Sequence, residues 1–355
     1  MSDNPSRVLV LGDDFMPTSV FATALAAIAE PVSVHYVQLE ARDAYVPATD
    51  SERGIREFFG DPAQVRAALD GHTIVLFHGA PITAEVLDAA PELAFIGCAR
   101  GGPVNVDIEA ATARRIAVVN TPGKNAAAVA DLTLAFVLHL ARGLTRAAES
   151  LRGPGRLTDS TFGGADFFGR ELEGQTLGLV GIGYVGRLVA ARVLALGMRV
   201  VAYDPYVDTA QCPTEVRMVE LDELLGSSDF VSLHARANGD NRHLIDASRL
   251  KKMKSSAYLI NTARESLVDE AALLAALDDG VIAGAAVDVL ESPSSGRHAF
   301  VDRPDVLVTP HIGGATHETL RRGAEMLVAD VARHIRGEPL LNLVNPIPAA
   351  VSSEA

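Results

Sequence analysis

Residues 175–206 read QTLGLVGIGYVGRLVAARVLALGMRVVAYDPY. An apolar run, TLGLV, leads into Gly181-Ile182-Gly183-Tyr184-Val185-Gly186. RLVAARVLAL follows at helical period, and a second apolar run ends in Asp204. That order predicts strand, glycine turn, helix, strand. A GxGxxG alone is weak evidence, and its setting is what gives it meaning. Gly181 permits the tight turn, Gly183 lets a pyrophosphate approach the backbone, and Gly186 lets the helix pack close on the strand. The helix N-terminus attracts the anion. Tyr184 and Val185 complete the expected cofactor loop. Asp204 stands eighteen residues past Gly186. Either it binds both ribose hydroxyls and repels a 2′-phosphate, selecting NAD over NADP, or it is a turn former beside Pro205. Arg199 precedes the strand and is poorly placed to serve NADP.

This unit begins near the middle of the 355-residue chain, with a separate series before it. RVLVLGDD (7–14), VSVHYVQL (32–39), HTIVLFHG (72–79), LAFIGCAR (93–100) and RIAVVNTPG (115–123) read as strands. FATALAAIA (21–29) and TAEVLDAAP (83–91) read as helices between them. Strands alternating with helices imply a parallel sheet with crossover helices. From Asn125 to about Arg146 the apolar residues run nearly all the way round a predicted helix, which is either a central core helix or one buried against a second subunit. Residues 151–174 read as a glycine-rich loop. Later strands are expected at 229–235, 256–263, 284–290 and 305–311, and a terminal amphipathic helix at 317–338. The tail AAVSSEA is expected to be mobile. The architecture expected is α/β, with a nucleotide-binding domain inserted between two parts of another α/β domain.

Composition excludes several classes. Hydrophobic residues make up 48% and mean hydropathy is +0.19, which is not the profile of a disordered chain. A net charge of −14 repels phosphate backbones and anionic lipid, so no nucleic-acid or membrane partner is expected. The two cysteines, Cys98 and Cys212, form no CxxC pair, and the histidines show no metal-ligand spacing. No metal is expected. No signal peptide and no run long enough to span a bilayer is read, so a cytoplasmic location is expected.

Three strand ends in the second half carry polar groups: Arg264 after LINTA, Asp288 and Glu291 around VDVLE, and His311 after VLVTP. Oxidising a 2-hydroxy acid removes a hydride from carbon and a proton from oxygen. Histidine suits the proton step in both directions. Arginine grips a planar carboxylate and polarises the forming carbonyl. A carboxylate behind the histidine orients it.

Six ordered motifs extend this reading: IGCARGGPVNVDIEAATARRIAVVNTPGKNAAAVADLTLA, LGLVGIGYVGRLVA, VSLHA, LINTARESLVDEAAL, GAAVDVLE and VTPHIGGAT. On them the chain, over roughly residues 70–320, resembles the D-isomer-specific 2-hydroxyacid dehydrogenases, in particular their phosphoglycerate dehydrogenase branch. The resemblance implies a Rossmann NAD-binding domain (122–315) inserted into a flavodoxin-like substrate domain (1–121 and 316–355). It implies an NAD-dependent enzyme for a small anionic D-2-hydroxy acid, of phosphoglycerate, hydroxypyruvate or sugar-acid type. A homodimer through the NAD-binding domain is also implied. Arg264 then matches the substrate-binding arginine, His311 the acid/base, and Asp288 the aspartate that holds the nicotinamide carboxamide. His234, Thr262, Ala263, Gly313 and Gly314 fall in segments that line the cofactor. Arg100, Gly101, Gly102 and Pro103 lie in the loop whose backbone amides receive the substrate carboxylate. The chain ends soon after the terminal helix, so no serine feedback is expected.

Three departures bear on this. The family usually reads DVFxxEP, but five residues after Asp288 stands Pro293, and Glu291 comes two residues early. Either Glu291 partners His311 or the dyad lacks its carboxylate. Glu265 replaces the glycine that usually follows the arginine. HAR (234–236) stands where the family has histidine, one residue, then proline; Arg236 either contacts adenosine or a phosphate, or is simply exposed. His234 is either at the cofactor rim or packed, and Arg100 either binds a second anionic group or is solvated. Two rivals remain open: a non-catalytic NAD(H)-sensing, corepressor-like protein, and a formate- or phosphite-type dehydrogenase of the same fold.

Overall fold

The computed structural model describes residues 5–40, 49–151, 167–208, 210, 212–291 and 297–347. The tail expected to be mobile, and most of the loop read at 151–174, lie outside these residues. The chain forms two compact units: Met1–Lys124 with Ala315–Ala355, and Asn125–Gly314.

In the first unit β1 (Ser6–Gly12), α1 (Thr18–Leu25), β2 (Val32–Gln38), α2 (Asp50–Arg53), α3 (Pro62–Leu69), β3 (Ile74–Phe77), α4 (Ala84–Asp88), β4 (Phe95–Cys98), α5 (Ile108–Ala113) and β5 (Ala117–Val119) follow one another. The strands pair in parallel in the order β2-β1-β3-β4-β5. That is the flavodoxin-like doubly wound order. β3 (IVLF) and β4 (FIGC) are buried along their whole length, as expected of strands covered on both faces.

The second unit runs α6 (Ala126–Arg142), α7 (Leu144–Ser150), β6 (Thr176–Val180), α8 (Tyr184–Leu194), β7 (Arg199–Tyr203), β8 (Val216–Met218), α9 (Leu221–Ser227), β9 (Phe230–Leu233), α10 (Ala247–Leu250), β10 (Tyr258–Asn261), α11 (Glu270–Asp278), β11 (Gly284–Val287) and β12 (Val306–Val308). Its seven strands are all parallel, in the order β12-β11-β10-β9-β6-β7-β8. Successive connections leave β6 in one direction and return beside it at β9. This is the Rossmann arrangement, with its switch point between β6 and β9. The chain then returns to the first unit as α12 (His317–Arg336), capped by Thr316 and ended by left-handed Gly337. Its Ala324, Leu327, Val328 and Val331 join the core with Val8, Val10, Leu76 and Phe95.

The helix expected over 125–146 is two helices. Gly143 adopts φ 59°, ends α6 and opens α7. A left-handed glycine is the commonest helix stop, and nothing in the apolar pattern shows it. Nor is α6 buried all round. Val129, Ala130, Thr133, Phe136, Val137 and Leu140 form the inward stripe, while Leu138 is 41% exposed.

Candidate active site

The glycine turn is built as three distinct devices. Gly181 has φ 99°, and a Cβ there would stand 2.7 Å from the Ala235 amide nitrogen and 2.8 Å from the His234 carbonyl carbon. That contact sits at the switch point, between the ends of β6 and β9. Gly186 packs so tightly that a Cβ would fall 2.3 Å from the Gly181 carbonyl oxygen. Gly183 faces open space, with nothing within 4 Å of an added Cβ. It caps α8 without any side-chain cap, which leaves the first amides of that helix for an anion. Open room at one glycine and an uncapped helix start fit a dinucleotide pyrophosphate, with Tyr184 and Val185 as the first two helical residues.

Asp204 follows β7. One carboxylate oxygen accepts from the Ile182 amide (3.0 Å) and the other from the Tyr206 amide (3.0 Å). It therefore forms the strand-end turn and also tethers the glycine loop. His234 bonds to Ser232 Oγ through Nε2 (2.9 Å), and burial pushes its imidazole down to about 3, so it is neutral.

At the end of β10, Thr262 is buried and shares a 3.1 Å hydrogen bond with Thr133 of α6. Ala263 donates its amide to Asn261 Oδ1, and Asn261 Nδ2 donates to the Arg264 carbonyl, which fixes the backbone at the arginine. The exposed Arg264 guanidinium donates to the carbonyl of Ala263 (2.8 Å) and has no acidic partner among the described residues.

Asp288 is buried at the end of β11. It accepts from Thr309 Oγ1 (2.5 Å), the Ile312 amide (2.8 Å) and the Gly313 amide (2.7 Å). Its backbone carbonyl accepts from the His311 amide (2.9 Å). A Cβ on Gly313 would stand 2.9 Å from the Asp288 carboxylate, so glycine is needed for that grip. Gly314 lies against Asn125. Within this clasp His311 is held exposed at φ 55°. A left-handed, non-glycine residue costs roughly 1–3 kcal/mol and persists only where its surroundings fix it.

His311 and Asp288 line a cavity of about 630 Å³ together with Thr309, Pro310 and Glu265. No hydrogen bond or ion pair joins Glu291 to His311 among the described residues. Its carboxylate lies 3.5 Å from Arg242, and its amide donates to Glu270 (2.8 Å), which also bonds His298 (2.8 Å). Residues 292–296, including Pro293, lie outside the described residues. The sequence reading passed over two features here. Glu265, noted only as a departure, shares the cavity of His311. The Glu270–His298 pair, separated by 28 positions, left no local signal.

In the first unit the Arg100 guanidinium bonds the Glu57 carbonyl and carboxylate. Gly101 and Gly102 face open space, and their amides have no hydrogen-bond partner among the described residues. Pro103 follows, and Asn120 Nδ2 donates to the Gly101 carbonyl (2.8 Å), tying this loop to the end of β5. Behind the loop, Asp13 accepts from the amides of Phe15, Met16 and Gly79 and from His78 Nδ1 (3.1 Å). Burial works to raise this carboxyl, but those bonds outweigh it and hold the pKa below the ordinary value. The sequence reading saw no role for Asp13 or His78, because their pairing spans 65 positions.

Among the described residues no cluster of three or more His, Cys, Asp or Glu could hold a metal, and no single helix is long and apolar enough to cross a membrane. Exposed apolar side chains gather around the end of α6 and α7: Leu138, Leu144, Leu151 and, at 88%, Phe168.

The family model described as "D-isomer specific 2-hydroxyacid dehydrogenase, NAD binding domain" matches residues 134–313. The D-3-phosphoglycerate dehydrogenase of Mycobacterium bovis is 34% identical over 348 residues, which cover 98% of this chain and 60% of that protein. The chain thus spans about 60% of the length of that curated relative. Among solved structures, the TT0316 protein of Thermus thermophilus has a TM-score of 0.75 and 34% identity, covering 96% of this chain and all of that one. A glyoxylate reductase from Paecilomyes thermophila has a TM-score of 0.74 and 26% identity, covering 96% and 99%.

Proposed function

The chain belongs to the D-isomer-specific 2-hydroxyacid dehydrogenases, and from that premise we propose that it interconverts a D-2-hydroxy acid and its 2-oxo acid. NAD is its cofactor and supplies or accepts the hydride. One observation carries this reading: His311 stands in a strained conformation, clasped by Asp288, on the same sheet whose switch point holds the dinucleotide loop. Strain held in place by a buried carboxylate supports a role in chemistry rather than packing.

In this reading His311 moves the proton at the substrate oxygen. Arg264, with no acidic partner among the described residues, grips the carboxylate and polarises the carbonyl. The Gly101 and Gly102 amides receive carboxylate oxygens, with Arg100 and Pro103 shaping the loop. Asp204 takes the ribose hydroxyls while holding the glycine loop. Asp288, Thr262, Ala263, His234, Gly313 and Gly314 line the nicotinamide half. Glu291 serves His311 only by leaving Arg242. Glu265, already on the cavity of His311, competes for that role. The first unit is the substrate domain and the second the NAD-binding domain. Two copies pair through the second, where Leu138, Leu144, Leu151 and Phe168 leave an apolar face. The substrate is a phosphoglycerate-, hydroxypyruvate- or sugar-acid-type compound, as the similarity to D-3-phosphoglycerate dehydrogenases and a glyoxylate reductase suggests, and a cytoplasmic setting suits it.

Following NADH absorbance with a panel of 2-oxo acids tests this. Consumption with at least one of them is expected. NADH binding without consumption of any would favour the sensor reading, for which the pairing of Glu291 with Arg242 is the supporting observation.

A further inference from the structure

β5 ends in the turn Thr121-Pro122-Gly123-Lys124, with Gly123 at φ 71°. Lys124 is 6% exposed and Thr121 is fully buried. Neither the Lys124 ammonium nor the Thr121 hydroxyl has a hydrogen-bond partner among the described residues. The lysine stem runs over Gly323 of α12, where an added Cβ would stand 2.9 Å from Lys124 Cδ. Glycine there clears a lane for the side chain and fixes its reach.

The titratable groups acting on the Lys124 ammonium include Asp13, Arg100, Cys98 and His78, and the Arg322 guanidinium bonds the Lys124 carbonyl. Asp13 is occupied by His78 and three amides, and Arg100 by Glu57. Burial pushes the Cys98 thiol up to about 12, so it is no counter-ion near neutrality. The ammonium is therefore buried with no hydrogen-bonded counter-ion among the described residues, Asp13 acting on it only at a distance, an arrangement that destabilises a fold unless a ligand completes it. The chain has only four lysines among 31 basic residues. Lys252 and Lys254 pair with Asp222 and Asp229 at the surface, and Lys251 beside them is exposed. Lys124 alone is buried.

Two sets of unused donors thus lie at the strand ends of this unit. One is the Gly101 and Gly102 amides. The other is the Lys124 ammonium with the Thr121 hydroxyl. They are adjacent, because the Thr121 amide donates to the Arg100 carbonyl (2.9 Å). A substrate with one acid group satisfies one set and leaves the other buried and bare.

We propose that Lys124 and Thr121 bind a second acid group of the substrate, a carboxylate or a phosphate, beyond the carboxylate received by Gly101 and Gly102. The inference rests on the dehydrogenase reading above for calling the ligand a substrate.

The test uses the protein with NADH bound, so that the Gly181–Gly186 loop is occupied. Calorimetry with inorganic phosphate, succinate and acetate compares the wild type with Lys124→Met. The preference for phosphate or succinate over acetate should fall about 30-fold in the variant, as expected for losing hydrogen bonds to a charged group. Loss on phosphate alone assigns a phosphoryl group, and loss on succinate alone a carboxylate. An unchanged preference, or equal weakening of acetate, overturns the inference. Among 2-oxo acids, kcat/KM for doubly over singly charged compounds should fall by a similar factor. Failure of the dehydrogenase reading would abolish turnover and leave the Lys124-dependent binding in place, so the two failures are distinct. Should Lys124→Met not fold, the wild type still decides. Of the four dimethylated lysine signals, the one titrating near 8 must move to higher pKa with phosphate or succinate and not with acetate. A signal that stays put overturns the inference.

Discussion

In the second unit the carboxylates at the strand ends carry backbone hydrogen bonds: Asp204 from Ile182 and Tyr206, Asp288 from Ile312 and Gly313. At the strand ends of the first unit the Lys124 ammonium and the Thr121 hydroxyl have no hydrogen-bond partner among the described residues. The one is a finished frame, in which polar groups hold loops in position and leave only room and amides for the cofactor. The other holds unspent donors. A site for a large ligand used by many proteins can be built from backbone geometry. A site for a small, particular acid needs side chains whose partners arrive with the ligand, and the fold tolerates their cost.

The largest effect expected lies in the finished frame. His311→Ala should lower turnover by ~10²–10⁴-fold, the usual worth of a general acid or base, with NADH binding retained. Rate assays beside fluorescence titration check this. Loss of NADH binding instead would make His311 part of the frame rather than its reacting group. Next, Asp288→Ala strips Thr309, Ile312 and Gly313 of their acceptor. The expected cost is ~1–3 kcal/mol for buried groups left unpaired, visible as a lower melting temperature together with lost turnover. An unchanged melting temperature would mean the clasp contributes nothing to the frame.

Lys124→Met should act with the opposite sign, raising thermal stability at neutral pH. Burial lowers the Lys124 pKa to about 8, against ~10.4 for a free lysine. Between those values the unfolded chain binds more protons than the folded one, so wild-type stability rises with pH there. The advantage of the methionine variant must therefore shrink as pH climbs from about 8 toward ~10. Melting curves across that range check it. A variant less stable at pH 7 would show that Lys124 has a partner in the fold. Smallest of all, Glu291→Gln removes only an exposed contact with Arg242 and should change stability by less than ~0.5 kcal/mol. Its pH–rate profile is the sharper reading. A shifted limb assigns Glu291 to His311, and a shift with Glu265→Gln instead moves that role to the cavity wall.

The same contrast explains what the sequence made legible. Gly181, Gly183 and Gly186 have separate backbone duties at fixed spacing, so the motif and the parallel sheets were readable. The end of α6 was not, because Gly143 stops a helix by its own φ while the apolar pattern runs on. The short β8 offers too few residues for a period to emerge. Sequence alone allows Asp204 as turn former or ribose ligand, and the structure gives it the turn and the loop tether at once. Lys124 sat unremarked in NTPGK, because what sets it apart is the absence of partners. Absence of partners is a property of packing across β5 and α12 that no local pattern records.

The central claim is that this chain transfers hydride to the carbon of a 2-oxo acid. Mass spectrometry of the hydroxy acid formed with NADH deuterated at C4 tests it most directly. One deuterium at C2, in a product of D configuration, is the predicted result. Product without deuterium, or no product from any 2-oxo acid under conditions where NADH binds, would contradict it.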